Sequence, residues 1–260
     1  MMRNLIISAF TVTLFISSLS AEVVVFQDTF DGSSLDGSKW NNLLPFADSS
    51  VSVGGGAVNL VARGTIVTKT SFTAPYTLTG SFINQNNTAH SAYSVFLLNF
   101  RTSGNVIPGD IYKNLDGFMI SFWPRSTVGG SEGLFLTVAN PASPYGETKT
   151  TNLAGQSFFP TTGQEHFFSL ADYGDRFTFD VDGIRMFDYT SSISFGNKLG
   201  FASRETLQFT GSDYTGDVVI NSVQVSVPEP SSLSLLALGG LVMTLRRRRS
   251  HPLRFITNLS

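Results

Sequence analysis

Between Glu22 and Val227 the apolar residues come in short runs separated by Gly, Pro, Asn, Asp and Ser, and these runs lack the three-to-four-residue spacing of an amphipathic helix. Val23–Phe26, Ala57–Val61, Tyr76–Ile83, Tyr93–Phe100, Gly117–Trp123, Gly133–Ala139 and Val218–Val225 are rich in β-branched and aromatic residues and predict strands. The clearest hairpin is Arg176–Val181, then Asp182-Gly183, then Ile184–Phe187. Alternation places Phe177, Phe179 and Val181 on one face, and the Asp-Gly pair supplies the positive φ angles of a tight turn. About a dozen such segments without an interior helix predict an all-β protein, an antiparallel two-sheet jelly-roll sandwich. No fixed repeat supports a β-helix. With no linker or charge block inside it, 22–227 is expected to be one domain.

The ends follow a different pattern. Residues 1–21 have Arg3, an apolar run from Leu5 to Ile16, and small residues at Ser17, Ser18, Ser20 and Ala21, the three-part layout of a secretory signal peptide. At the other end Pro228-Glu229-Pro230 interrupts the last strand. An uncharged stretch from Ser231 to Leu245 follows, shorter than the ~20 residues that span a bilayer comfortably, and then come Arg246, Arg247, Arg248 and Arg249. The arginines would hold the end of this hydrophobic helix on the cytoplasmic side.

In order and spacing, residues 228–249 resemble the PEP-CTERM sorting signal of exported proteins. That resemblance implies recognition by an exosortase-type membrane protease near Pro228-Glu229-Pro230 and transient residence in the inner membrane. It further implies removal of the tail and delivery to the cell surface or extracellular matrix of a Gram-negative, exopolysaccharide-making bacterium. The extension 250–260 departs from the usual pattern, which stops soon after the arginines.

The two ends also change the charge balance. The whole chain has a formal net charge of -2. Six of the 17 basic residues (Arg3, Arg246 to Arg249 and Arg254) and one of the 19 acidic ones (Glu229) lie in the ends, which leaves the middle with 11 against 18, about -7. An acidic exported domain is a poor partner for nucleic acid or other polyanions and a better one for neutral glycans or calcium. The chain has no cysteine, so disulfides, thiolate metal sites and cysteine nucleophiles are excluded.

Three stretches of the middle resemble concanavalin A-like lectin/glucanase domains: Phe26–Trp40 their opening strand and loop, His166–Phe187 their central strands, and Lys198–Glu205 with Asp217–Val225 their closing strands. The resemblance implies the sandwich fold. Glycosidases of this family carry Glu-x-Asp-x-x-Glu on one strand, so that alternation points the carboxylates into a cleft. No such spacing occurs here, and after Asp116 the segment Gly117–Trp123 has only apolar or hydroxyl side chains. Catalysis by that carboxylate set is therefore not expected. Asp180 and Asp182 read as hairpin residues, and His90 and His166 lack metal-ligand spacing. The family also implies a structural calcium ion, with Asp28 and Asn221 at the matching positions, set against ordinary loop capping by Asp28 and Asp31. Tyr112, Trp123, Tyr145 and Tyr173, near Asp110, Asn114, Asn140 and Asp172, are candidate sugar-stacking residues, although Trp123 equally suits the core and Trp40 a plug at the sandwich edge. The expected function is an exported, surface-sorted, non-catalytic protein that binds carbohydrate or packs in an extracellular polysaccharide matrix. The alternatives are a polysaccharide-cleaving enzyme with a non-standard site and a purely structural envelope protein.

Overall fold

The computed structural model describes residues 22–85, 96–108, 114–123, 133–140, 143–149, 161, 163–203 and 217–229. The expected signal peptide, hydrophobic helix, arginine cluster and extension 250–260 lie outside them. Val23–Val227 forms one compact unit.

Among the described residues every regular element is a strand: β1 (Glu22–Asp28), β2 (Trp40–Leu43), β3 (Ser50–Gly54), β4 (Ala57–Val61), β5 (Thr65–Thr68), β6 (Tyr76–Asn84), β7 (Phe96–Thr102), β8 (Gly117–Trp123), β9 (Gly133–Asn140), β10 (Ser143–Lys149), β11 (Glu165–Asp172), β12 (Arg176–Val181), β13 (Ile184–Thr190), β14 (Lys198–Ser203) and β15 (Asp217–Pro228). They build two antiparallel sheets. One has the order β13-β12-β11-β6-β15-β4-β3, with β1 also paired to β15, and the other the order β10-β9-β8-β7-β14-β5-β2. The all-β sandwich expected from the sequence is present. Strands that the pattern missed are the short or polar ones, such as β2 with its two asparagines, β5 with four residues, and β10 with Pro144 and Gly146.

The core is aromatic because each strand turns alternate residues inward and phenylalanine occupies many of those positions. Rings meet across the two sheets: Phe82 of β6 stacks on Phe96 of β7 with centroids 4.3 Å apart, and Phe177 of β12 meets Phe100 of β7 edge-on at 4.7 Å. Trp40, expected at the edge, is buried against Phe26, Phe30 and Phe201. In a protein without disulfides this packing is the principal cross-link between the sheets.

The hairpin at Asp182-Gly183 forms as the sequence predicts, with both residues at positive φ and Phe177, Phe179 and Val181 buried. A register shift between Phe179 and Asp180 leaves Met186 and Phe187, neighbours in sequence, both buried.

Candidate functional site

β8 spans Gly117–Trp123, the segment where the resemblance leads one to expect glycosidase carboxylates, and it is an interior strand of the seven-stranded sheet. Phe118, Ile120 and Phe122 point into the core, so Met119 and Ser121 take the opposite face. Register extends that face sideways in two rows. One runs Ala202, Leu97, Ser121, Phe135; the other runs Gly200, Asn99, Met119, Thr137. Neither row contains a carboxylate. Leu97, Met119 and Ala202 instead form a small apolar cluster.

Part of this face is covered by the chain itself. After β7, the Asp116 carboxylate accepts hydrogen bonds from the Thr102 hydroxyl (2.5 Å), the Ser103 amide (2.8 Å) and the Ser103 hydroxyl (2.6 Å), which closes the connection to β8. The loop is then drawn back over the sheet, and a Cβ at Gly200 would lie 2.6 Å from Leu115 Cδ1. Glycine there allows Leu115 to lie against the strand. Arg63 reaches the same loop through Asn114, 3.1 Å from its Nη1. Asn99, 2% exposed, has no hydrogen-bond partner for Nδ2 among the described residues.

The strands that carry the described residues expected to bind sugar belong to both sheets. Tyr112 lies outside the described residues. Trp123 ends β8 opposite Gly133, and Tyr145 falls within β10, a strand of the same sheet rather than a loop. Tyr173 follows β11 of the other sheet and is 55% exposed. Its backbone N–H donates to the Arg176 carbonyl across the β11–β12 turn.

Asp28 and Asn221 are each committed elsewhere. Asp28 Oδ2 accepts from Trp40 Nε1 at 2.6 Å and Oδ1 from the Phe30 amide at 3.0 Å, with Lys39 Nζ 3.7 Å away. Asn221, at a register shift in β15, donates from Nδ2 to Glu165 Oε1 at 2.6 Å. Calcium takes six to eight oxygens, and among the described residues no group of three His, Asp or Glu side chains lies together to hold an ion.

Two residues acquire roles that spacing alone did not assign. His166 is buried, with Nδ1 2.8 Å from Asp182 Oδ2 and Nε2 accepting the Thr161 amide at 3.0 Å. Because Nε2 accepts, Nδ1 carries the proton and donates to Asp182. The second Asp182 oxygen accepts the Phe167 amide at 2.9 Å, so the turn residue also anchors β11. Phe167 itself is 61% exposed on the outer face of the eight-stranded sheet. The signal for this lay in the Phe167-Phe168 pair, since alternation in a strand can bury only one of two neighbours.

Comparisons with known proteins agree with both parts of the chain. Residues 226–249 match the PEP-CTERM protein-sorting motif. No curated protein matches the sequence. The fold resembles a structure described under endo-acting O-glycanases of the human gut microbiota, with a TM-score of 0.57 and 16% identity over 80% of this chain and 100% of that one. It also resembles the catalytic domain of an endo-1,3-β-glucanase (laminarinase) from Thermotoga petrophila, with TM-score 0.53 and 11% identity over 81% and 100% of the two chains. A third similar structure is the exoplasmic/lumenal domain of VIP36, in a form bound to Ca2+ and Man3GlcNAc, with TM-score 0.51 and 16% identity over 72% and 82%. This chain therefore carries a PEP-CTERM protein-sorting motif on a β-sandwich of the concanavalin A-like lectin/glucanase fold.

Proposed function

We propose that this protein binds neutral carbohydrate at the cell surface or in an extracellular polysaccharide matrix without cleaving it, after an exosortase-type protease has processed its tail. The sorting motif implies an exported protein with a membrane-anchored precursor. The observation that carries the non-catalytic part is the outer face of β14, β7, β8 and β9. There Ala202, Leu97, Ser121, Phe135, Asn99, Met119 and Thr137 follow one another, none of them a carboxylate, whereas a retaining glycosidase needs two carboxylates about 5 Å apart. Met119 and Ser121 can neither protonate a leaving oxygen nor attack a sugar carbon as a carboxylate does. Similar folds are found in both the Man3GlcNAc-bound domain of VIP36 and an endo-1,3-β-glucanase, so the fold serves either purpose and the side chains decide.

Full-length protein in mild detergent, applied to a glycan array and added to polysaccharide solutions while viscosity is followed, separates the readings. Binding with unchanged viscosity is expected. A progressive fall in viscosity would overturn the reading in favour of a polysaccharide-cleaving enzyme, and neither binding nor cleavage would overturn it in favour of a purely structural envelope protein.

A further inference from the structure

We infer that the outer face of the eight-stranded sheet around Phe167 is a binding platform for a neutral hexopyranose chain, an assignment that rests on the carbohydrate-binding reading above and gives it a site away from β8.

Phe167, on β11, forms one side of the platform. On β11 its neighbours His166 and Phe168 turn into the core, which leaves the Phe167 ring on the solvent side. The backbone beneath that ring is fixed: the Phe167 N–H donates to Asp182 Oδ1 at 2.9 Å and its carbonyl accepts the Asp182 N–H at 2.8 Å. An exposed aromatic on a rigid strand offers a flat apolar surface at low entropic cost, suited to the C–H face of a pyranose ring.

Beside the ring a groove of about 310 Å³ crosses the sheet, with Gly80 in its floor and Gln27, Thr79, Ser222 and Gln224 along its sides. Register explains the grouping. Phe167 pairs with Ser81, and Ser81 with Ser222; Ser169 pairs with Thr79, and Thr79 with Gln224. Amides and hydroxyls both donate and accept, which is what sugar hydroxyls require.

Glu165 completes the arrangement. It lies two residues before Phe167 on the same face, roughly 7 Å along the strand. Its Oε1 accepts from the Ser81 hydroxyl at 2.7 Å and from Asn221 Nδ2 at 2.6 Å, and these hydrogen bonds hold its carboxyl below the usual range. Both bonds fall on Oε1, and Glu165 is exposed, so its carboxylate can still accept from a ligand in solvent. A fixed negative charge beside the groove disfavours polyuronates and favours uncharged chains.

The test measures binding of cellohexaose, laminarihexaose and a hexauronate to the full-length protein and its variants by calorimetry. Phe167→Ala is expected to weaken the better neutral hexasaccharide at least tenfold while leaving the melting temperature unchanged. Phe167→Trp should retain binding, and the emission of the introduced indole should shift on adding sugar. Glu165→Gln should weaken the neutral ligand at least threefold and strengthen the hexauronate by a similar factor. Neutral-sugar binding that persists unchanged in Phe167→Ala and Glu165→Gln would overturn this site while leaving the carbohydrate-binding reading intact. No binding of either neutral hexasaccharide by the wild-type protein would overturn both. A Phe167→Ala variant that changes only from dimer to monomer would assign the face to a second copy of the chain and overturn the glycan site.

Discussion

Arg101 of β7 and Asp172 of β11 form a buried two-pronged ion pair between the two sheets, with Nε to Oδ2 at 2.9 Å and Nη2 to Oδ1 at 2.6 Å. Arg101 adopts a positive φ where β7 shifts register against β14, and its guanidinium also lies over the rings of Phe118 and Phe177. Its Nη1 donates to the Ser191 and Ile193 carbonyls, which ties down the segment after β13. Removing one partner strands the other charge inside the sandwich. Asp172→Asn or Arg101→Met should therefore lower the unfolding free energy by about 3–5 kcal/mol in urea titrations, and Arg101→Met/Asp172→Leu should cost less than the two single losses added.

Tyr76 adjoins this pair and gives it a pH signature. Burial, followed by the nearby Asp172 carboxylate, raises the Tyr76 phenol well above its ordinary value of 10.0. The folded state thus favours the neutral phenol. That contribution is complete below the unfolded value and is lost as pH rises toward the folded one, because the unfolded chain releases the proton first. Stability should fall by up to ~1.4 kcal/mol per pH unit above pH 10, and Tyr76→Phe should flatten this part of the profile. Urea midpoints measured from pH 8 to 11 check it, and an identical slope in both proteins would refute it.

Asp28 is held by Trp40, and the hydrogen bond from Nε1 joins the end of β1 to the start of β2. Trp40→Phe leaves a buried carboxylate oxygen without its donor and should cost about 1.5–3 kcal/mol, more if the smaller ring leaves a cavity. Asp28→Asn combined with Trp40→Phe should recover part of that loss in the same urea measurement.

The sorting motif makes a cellular prediction. Replacing Pro228, Glu229 and Pro230 with alanine should leave an uncleaved precursor that fractionates with membranes and migrates more slowly on a denaturing gel. Processing indistinguishable from wild type would show that the protease does not read these residues.

Much of the fold was legible because a strand's period of two and its turn residues are local properties. Phe177, Phe179 and Val181 with Asp182-Gly183 specify their hairpin without reference to the rest of the chain. The short strands β2 and β5 were not legible, since four residues carry too little periodicity to stand out. Site residues fared less well. Composition drew attention to tyrosines and tryptophans, whereas among the described residues the most exposed aromatic is a phenylalanine, and only its register beside Ser81, Ser222 and Gln224 gives it a setting. Asn221 illustrates the same limit: it sits at a register shift in β15 and donates to Glu165, a pairing that spacing along the chain could not show.

By itself the sequence determined the address at the C-terminus, the all-β class and the lack of a carboxylate triplet on β8, because each depends on residues close together along the chain. Tertiary structure decided which of Phe167 and Phe168 faces solvent, that Asp182 holds His166 and Phe167 as well as making a turn, and that Arg101 meets Asp172 across the core. These relationships join positions 15 to 71 residues apart or depend on which face of a strand the core claims. Local pattern fixes alternation but not its phase, and the phase is set only when two sheets close on each other and exclude water between them.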